Sequence, residues 1–360
     1  MFCKVGRSRC FLETEIEKSF FISDFFLLKG LRNGKKFVFL HWIVPAALPV
    51  EQRTRAGQFI FIPMKYTKQP ATLSEQIDLL KRRGLIIDDE AEAVAVLQRI
   101  SYFRLASYWR PMEQDKVFHV FKPDSHFSNA LTLYQFDSEL KSLVFNSIQH
   151  IEIAVRTQMI QQFSMKYGSF WFMDKQLFIS EAVFQKDIAS LRFAIENSRE
   201  DFVLEHFQRY DDPDMPPVWK SLELATLGTL SRIYSNFADN AVKKQVARSF
   251  TIPQHEFMRN WLENLTIVRN VCAHHARLWN RYFVVRPRMP HHLQHPWINN
   301  RSFSIDRLYP QLCCIAYWLR AIDSQSTFVA ELKALLQKYP TVDASAMGFP
   351  KGWQREPLWM

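Results

Sequence analysis

Leu140, Val144, Ile148, Ile151, Val155 and Met159 recur at spacings of 4, 4, 3, 4 and 4, the apolar stripe of an amphipathic helix. The stretch that carries them, about Asn129 to Tyr167, contains neither glycine nor proline. Phe257, Trp261, Leu265, Val268 and Cys272 repeat the pattern at 4, 4, 3 and 4 and predict a helix over 254–275. Upstream, Thr72-Leu-Ser-Glu75 reads as a capping box. The helix it opens carries Ile77, Leu79 and Leu80 and stops near Gly84. Asp88 or Asp89 caps a second helix with Ala91, Val94, Leu97 and Ile100, and Ser101 to Trp109 forms a third that ends before Pro111. Residues 115–123 suit a short hairpin or loop strand. Another helix is predicted from about Glu181 to Tyr210, and the prolines of Asp211 to Pro217 break the pattern. Helical spacing resumes at 218–237 and 239–249, and again near 304–322 and 326–338, with a Pro/His-rich loop from His291 to Pro296. The fold class is all-α, a helical bundle with a small helical N-terminal unit.

Residues 1–63 differ from this. They hold four of the nine glycines and ten of the 31 phenylalanines, with no clean period of 3.6 or 2. They read as a poorly patterned extension, either a start codon assigned too early or a short accessory segment. The expected division is therefore 1–63, a small helical unit at 64–112, a main helical domain at 113–340, and a tail at 341–360.

Composition narrows the function. Glycine is scarce, 9 of 360 residues, and no GxGxxG or GxxxxGK[ST] string occurs, so Rossmann and P-loop readings lose their support. The formal net charge of +10 suggests an anionic partner, with nucleic acid the commonest. Five cysteines without CxxC spacing argue against a disulfide scaffold or zinc ribbon and fit a reducing cytoplasm. The apolar run Phe37 to Val50 has 14 residues and two prolines, too short and too broken for a membrane span. No secretory pattern opens the chain.

The sharpest string is Trp261 to Arg281, WLENLTIVRNVCAHHARLWNR. At about 100° per residue, Asn270 and His274 lie opposite the Cys272 stripe on one face, with Arg269 and His275 toward its two flanks. A histidine titrating near neutrality can move a proton to or from a 2′-hydroxyl or a leaving oxygen. An arginine can stabilise charge developing on a phosphodiester, and Asn270 can hold the imidazole or the phosphate. On spacing alone, an ordinary solvated helix end is the commoner explanation of such a pattern.

RNVCAHHARLWNR resembles the signature of the Abi-like proteins of AbiD/AbiF type, bacterial abortive-infection proteins whose domain belongs to the HEPN superfamily. The string LSEQIDLLKRRGLIIDDEAEAVAVLQRISYFRLASYWRPM resembles that family's N-terminal block. LYQFDSELKSLVFNSIQHIEIAVRTQM resembles its first long helix, and PPVWKSLELATLGTLSRIY its central segment. Together they cover about residues 68–290. The resemblance implies a HEPN-type bundle, commonly dimeric, with two motif helices facing across a cleft. It implies a metal-independent endoribonuclease acting by 2′-hydroxyl attack, in phage defence. His274 would be the general acid/base, Arg269 the transition-state clamp and Asn270 the orienting group. It needs no cofactor. RNA is the expected partner, alongside a second copy of the chain. A phage trigger or antitoxin partner is open.

Other residues carry weaker readings. His275 points nearer the core flank than His274. Cys272 falls inside the apolar stripe and reads as a small buried hydrophobe, so no metal site is assigned. Glu152 and Arg156 read first as an i, i+4 salt bridge, with a role near the cleft as the alternative. Glu223 reads as a buried structural acid or helix-pair member, with a site role second. Arg277, Arg281, Arg286 and Arg288, interleaved with Trp279, Tyr282 and Phe283, suit single-stranded RNA or, as readily, a solvated basic edge over packed aromatics. Asn280 caps or orients the turn. A non-catalytic RNA-binding module and a helical interaction protein of a defence or toxin–antitoxin system remain open alternatives.

Overall fold

Thr72 opens the first helix as its capping box requires: its N–H donates to Glu75 Oε2 at 2.7 Å and its Oγ1 accepts from Glu75 N at 3.3 Å. The computed structural model describes residues 68–360, Tyr66, and the backbone of a short antiparallel pair, β1 (Gln52–Arg53) and β2 (Phe59–Ile60). Apart from that pair, the expectation for residues 1–63 lies outside the described residues.

Three short helices follow: α1 (Leu73–Arg82), α2 (Glu90–Arg99) and α3 (Tyr102–Trp109). Gly84, at φ +91°, ends the turn after α1, a conformation that a Cβ would disfavour. Asp89, not Asp88, caps α2, accepting from Glu92 N at 2.9 Å. A hairpin, β3 (Glu113–Asp115) with β4 (Val120–Phe121), leads to α4 (Phe127–Tyr167). At 41 residues α4 is about 60 Å long. It serves two cores. Its first turn, through Phe127 and Ala130, packs with Ile77, Leu80, Leu105 and Trp109 of the N-terminal helices. The rest of its stripe, Leu140 to Met159, is fully buried in the main core.

The main core is closed by α5 (Glu181–Glu196), α6 (Asp201–Arg209), α7 (Val218–Ser221), α8 (Leu227–Asn236), α9 (Asn240–Arg248), α10 (His255–Ala273), α11 (Leu308–Ile322) and α12 (Phe328–Lys338). Two continuous helices expected from the sequence are each interrupted. The stretch 181–210 divides because Asn197 turns its side chain back onto Phe193 O at 2.8 Å and Ser198 Oγ accepts from Glu200 N. The stretch 218–237 breaks at Ala225, and Thr226 starts α8 afresh as its N-cap, accepting from Thr229 N at 3.3 Å.

Helix α10 packs against α4, α8, α9 and α11. Every residue of α11 from Leu308 to Leu319 is buried, the signature of a helix that is apolar all round. Beyond α12 the chain continues as 3-10 turns that put Met347, Trp353, Leu358 and Trp359 into the same core. Among the described residues no helix is long and apolar enough to cross a membrane.

Candidate active site at the end of helix α10

The stripe of α10 faces inward as its spacing predicts. Trp261, Leu265, Val268 and Cys272 are buried, and Phe257 packs partly against them. Burial pushes the Cys272 thiol up to about 12, so it behaves as a small hydrophobe. Opposite the stripe, Asn270 and His274 are both exposed. His274 is the C-cap, and its N–H still donates to Asn270 O at 2.9 Å. The helical turn therefore persists just far enough to keep the two residues on one face, i to i+4.

Arg269 is half-buried and held from α4. Its guanidinium lies 5.6 Å from the centroid of the Phe145 ring, within cation–π range. It also feels the charge of Glu152, two turns further along the same face of α4. Burial pushes the Glu152 carboxyl up, while Arg156, Arg269 and the N–H of Leu227 at the start of α8 pull it back. Arg156 is buried and bridges three groups: Glu152 at 3.2 Å, Glu223 at 3.4 Å and Ala225 O at 3.0 Å. It thereby pins the Ala225 break to α4. Glu223 itself is half-exposed, at 51%, which corrects the reading of it as a buried acid.

After His274 the helix ends, and this changes the placement of His275. It adopts φ +54° and is exposed, so extending the helical wheel to it fails, and it does not turn toward the core flank. Its carbonyl accepts from Arg104 Nη1 of α3 at 2.7 Å. Arg277 Nη1 donates to Ser107 O, also on α3, at 2.5 Å, and Arg281 Nη1 reaches Arg277 O at 3.3 Å. Asn280, the second non-glycine residue of this loop at positive φ (+54°), accepts from Arg307 Nη1 at 2.5 Å through Oδ1. Trp279 and Phe283 are buried and unavailable for stacking on bases; Tyr282 is exposed.

Sequence reasoning missed the group that holds this loop. Asp137 of α4 is fully buried and accepts from Leu278 N at 3.0 Å, Trp279 N at 2.5 Å and the Tyr108 hydroxyl at 2.7 Å. Lys141 Nζ, nearly buried itself, lies 3.1 Å away. The carboxylate thus ties α3, α4 and the segment that follows His274. Its signal was present: Asp137 precedes Leu140 by three residues, which places an acid on the buried stripe.

An all-α bundle with an exposed Asn/His pair and a clamped arginine at the end of one helix defines the class of site. The chain belongs to the Abi-like protein family, whose model matches residues 95–280, just over half of its 360 residues. Membership points to abortive infection, the defence of a bacterium against phage. No curated protein and no solved structure matches the chain.

Proposed function

We propose that the chain is a HEPN-type, metal-independent endoribonuclease that acts as an abortive-infection effector. The observation that carries this is the exposure of Asn270 and His274 one turn apart on one face of α10, beside an arginine set over the Phe145 ring of α4. His274 takes the proton from a 2′-hydroxyl or gives one to the leaving 5′-oxygen. Attack of the 2′-oxygen on phosphorus breaks the bond to the 5′-oxygen and leaves a 2′,3′-cyclic phosphate and a 5′-hydroxyl. Arg269 meets the charge that develops on the non-bridging oxygens, and its anchorage on α4 keeps it aimed without reorganisation. Asn270 orients the imidazole or the phosphate. Glu152, whose charge acts on Arg269, is a positioning residue in this reading.

Two copies would set two such faces across a cleft, and Ile153, exposed beside Glu152 on α4, is an apolar group that a second copy would cover. Cys272, Cys313 and Cys314 are free and buried, which fits a cytoplasmic protein. The test is RNA cleavage with EDTA present, comparing wild type with His274→Ala and Arg269→Ala and mapping product ends. Cutting by wild type alone, with cyclic phosphate ends, is the expected result. Folded wild type that binds RNA and leaves it intact moves the function to RNA binding or sensing.

A further inference from the structure

From Tyr282 to Arg288 the exposure alternates. Tyr282, Val284, Arg286 and Arg288 are exposed, while Phe283 and Pro287 are buried and Val285 is half-buried. Alternate residues thus turn outward, along a strip whose backbone bends at Val284 and Val285. The segment is pinned along its length. Phe283 N donates to Asp306 O at 2.8 Å, and Arg288 N donates to Asn260 Oδ1 at 2.6 Å. Asn260 Nδ2 donates to Arg286 O at 3.2 Å, and Trp261 Nε1 to Arg288 O at 2.7 Å. These bonds run the strip back along α10, from the loop after His274 toward the helix's first half. Asn260 precedes His274 by fourteen residues, about 21 Å of helix. Tyr282 follows His274 by only eight residues, at most about 28 Å of chain.

The first outward group of the strip is a prepared stacking surface. The Arg307 guanidinium lies 3.5 Å from the centroid of the Tyr282 ring and covers one of its faces, while the residue stays 66% exposed. Arg307 is itself fixed by Asn280 Oδ1. The ring plane is therefore set before any ligand arrives, which lowers the ordering cost when a base stacks on the outer face. Further along stand two cations. Arg286 is loosely paired with Asp306 at 3.8 Å, and Arg288 makes no ion pair among the described residues. A ring that any base can stack on, followed by arginines for phosphates, matches a single strand and not a paired duplex.

Building on the ribonuclease reading, we infer that the strip Tyr282–Arg288 is a binding track for single-stranded RNA that leads its chain to His274. A base stacks on Tyr282, and Arg286 and Arg288 hold phosphates beyond it.

The test uses the full chain carrying His274→Ala, so that RNA stays intact, and a fluorescein-labelled single-stranded RNA of mixed sequence read by anisotropy. Adding Tyr282→Ala is expected to weaken binding roughly 5- to 100-fold, the range for loss of one stacked base, and Tyr282→Phe to retain it. Arg286→Ala with Arg288→Ala is expected to lower the slope of log K against log salt by about 1.4, roughly 0.7 per phosphate contact on a single strand. Thermal melts of each variant confirm folding, and the two arginines, being exposed, provide the variant that leaves the core untouched. Affinity within twofold of the background for Tyr282→Ala, together with a salt slope within about 0.3 of the background for the arginine pair, overturns the track. So does equal binding of a blunt RNA duplex with equal loss in Tyr282→Ala. The cleavage reading fails separately. Wild type that cuts RNA with a KM unaffected by these substitutions keeps the enzyme and removes the track. Uncut RNA whose binding depends on Tyr282 keeps the track and removes the enzyme. An absence of RNA binding at low salt overturns both.

Discussion

Replacing Asp137 by asparagine keeps the shape of the side chain and removes its charge. In the native protein that carboxylate receives two backbone N–H groups, one phenol and one ammonium, all in a buried site. The substituted amide can still accept from Leu278 and Trp279 through its oxygen. Its hydrogens, however, then face the ammonium of Lys141, which is only 8% exposed. Breaking a buried ion pair by neutralising one partner costs about 3–5 kcal/mol, and rotation of the Tyr108 hydroxyl into an accepting role recovers about 1 kcal/mol. The expected loss of stability is about 3 kcal/mol. Alanine leaves the two N–H groups unpaired as well, and at about 1–3 kcal/mol for each orphaned group the loss exceeds that of asparagine. Urea denaturation measures the stability. Limited trypsin digestion reads the loop locally, because cleavage after Arg277 falls immediately before Leu278. At temperatures where both proteins are folded, nicking at Arg277 is expected to rise several-fold in Asp137→Asn. RNA cleavage is expected to fall through kcat, because the segment that follows His274 is no longer tied to α3 and α4. A variant within about 0.5 kcal/mol of wild type, with unchanged nicking, refutes the assignment of Asp137 as the anchor.

Three further outcomes follow from the same geometry. Gly348→Ala is expected to cost about 2–3 kcal/mol in a denaturation experiment: the residue sits at φ +89°, and an added Cβ would lie 2.6 Å from Arg307 Cβ; a change under about 0.5 kcal/mol contradicts it. Asp239 is held down to about 2 by Lys166, the Tyr167 hydroxyl and the N–H of Ala241. Its contribution is present above about pH 4 and is lost as the pH falls from there to about 2. Asp239→Asn should therefore cost about 1 kcal/mol at pH 7, given that Lys166 is half in solvent, and almost nothing at pH 2; an equal loss at both pH values rules the linkage out. Ile153→Glu is expected to shift sedimentation toward monomer and to lower cleavage, whereas a wild type that cuts RNA as a monomer at micromolar concentration excludes the paired site.

Features governed by near neighbours in sequence were legible from the chain alone. The capping box at Thr72, the α4 stripe and the outward pairing of Asn270 with His274 need only local geometry and a period of 3.6. Readings that extended a helix past its end failed. His275 left the wheel because a positive φ reverses the chain immediately after His274. The breaks at Asn197 and Ala225 escaped notice because side-chain bonds to nearby backbone, and not proline, end those helices. Of the two readings of the arginine-rich segment, packed aromatics under a basic edge describes Trp279 and Phe283, which are buried, while Tyr282 stays outside. Asp137 was the largest omission. Its place on the buried stripe was legible, but the two backbone N–H groups it binds lie 141 and 142 residues away, and no local pattern encodes that pairing.

The closing turns of the chain have a genetic consequence. Leu358 and Trp359 are completely buried, Trp359 Nε1 donates to the Tyr309 hydroxyl at 3.1 Å, and Leu358 O accepts from Arg320 Nη2 at 3.2 Å. Both partners belong to α11, the helix wedged against α4 and α10. A stop codon or frameshift that removes these turns would uncover that helix as surely as an internal deletion would. Nonsense alleles that fall just before Leu358 should therefore score as null.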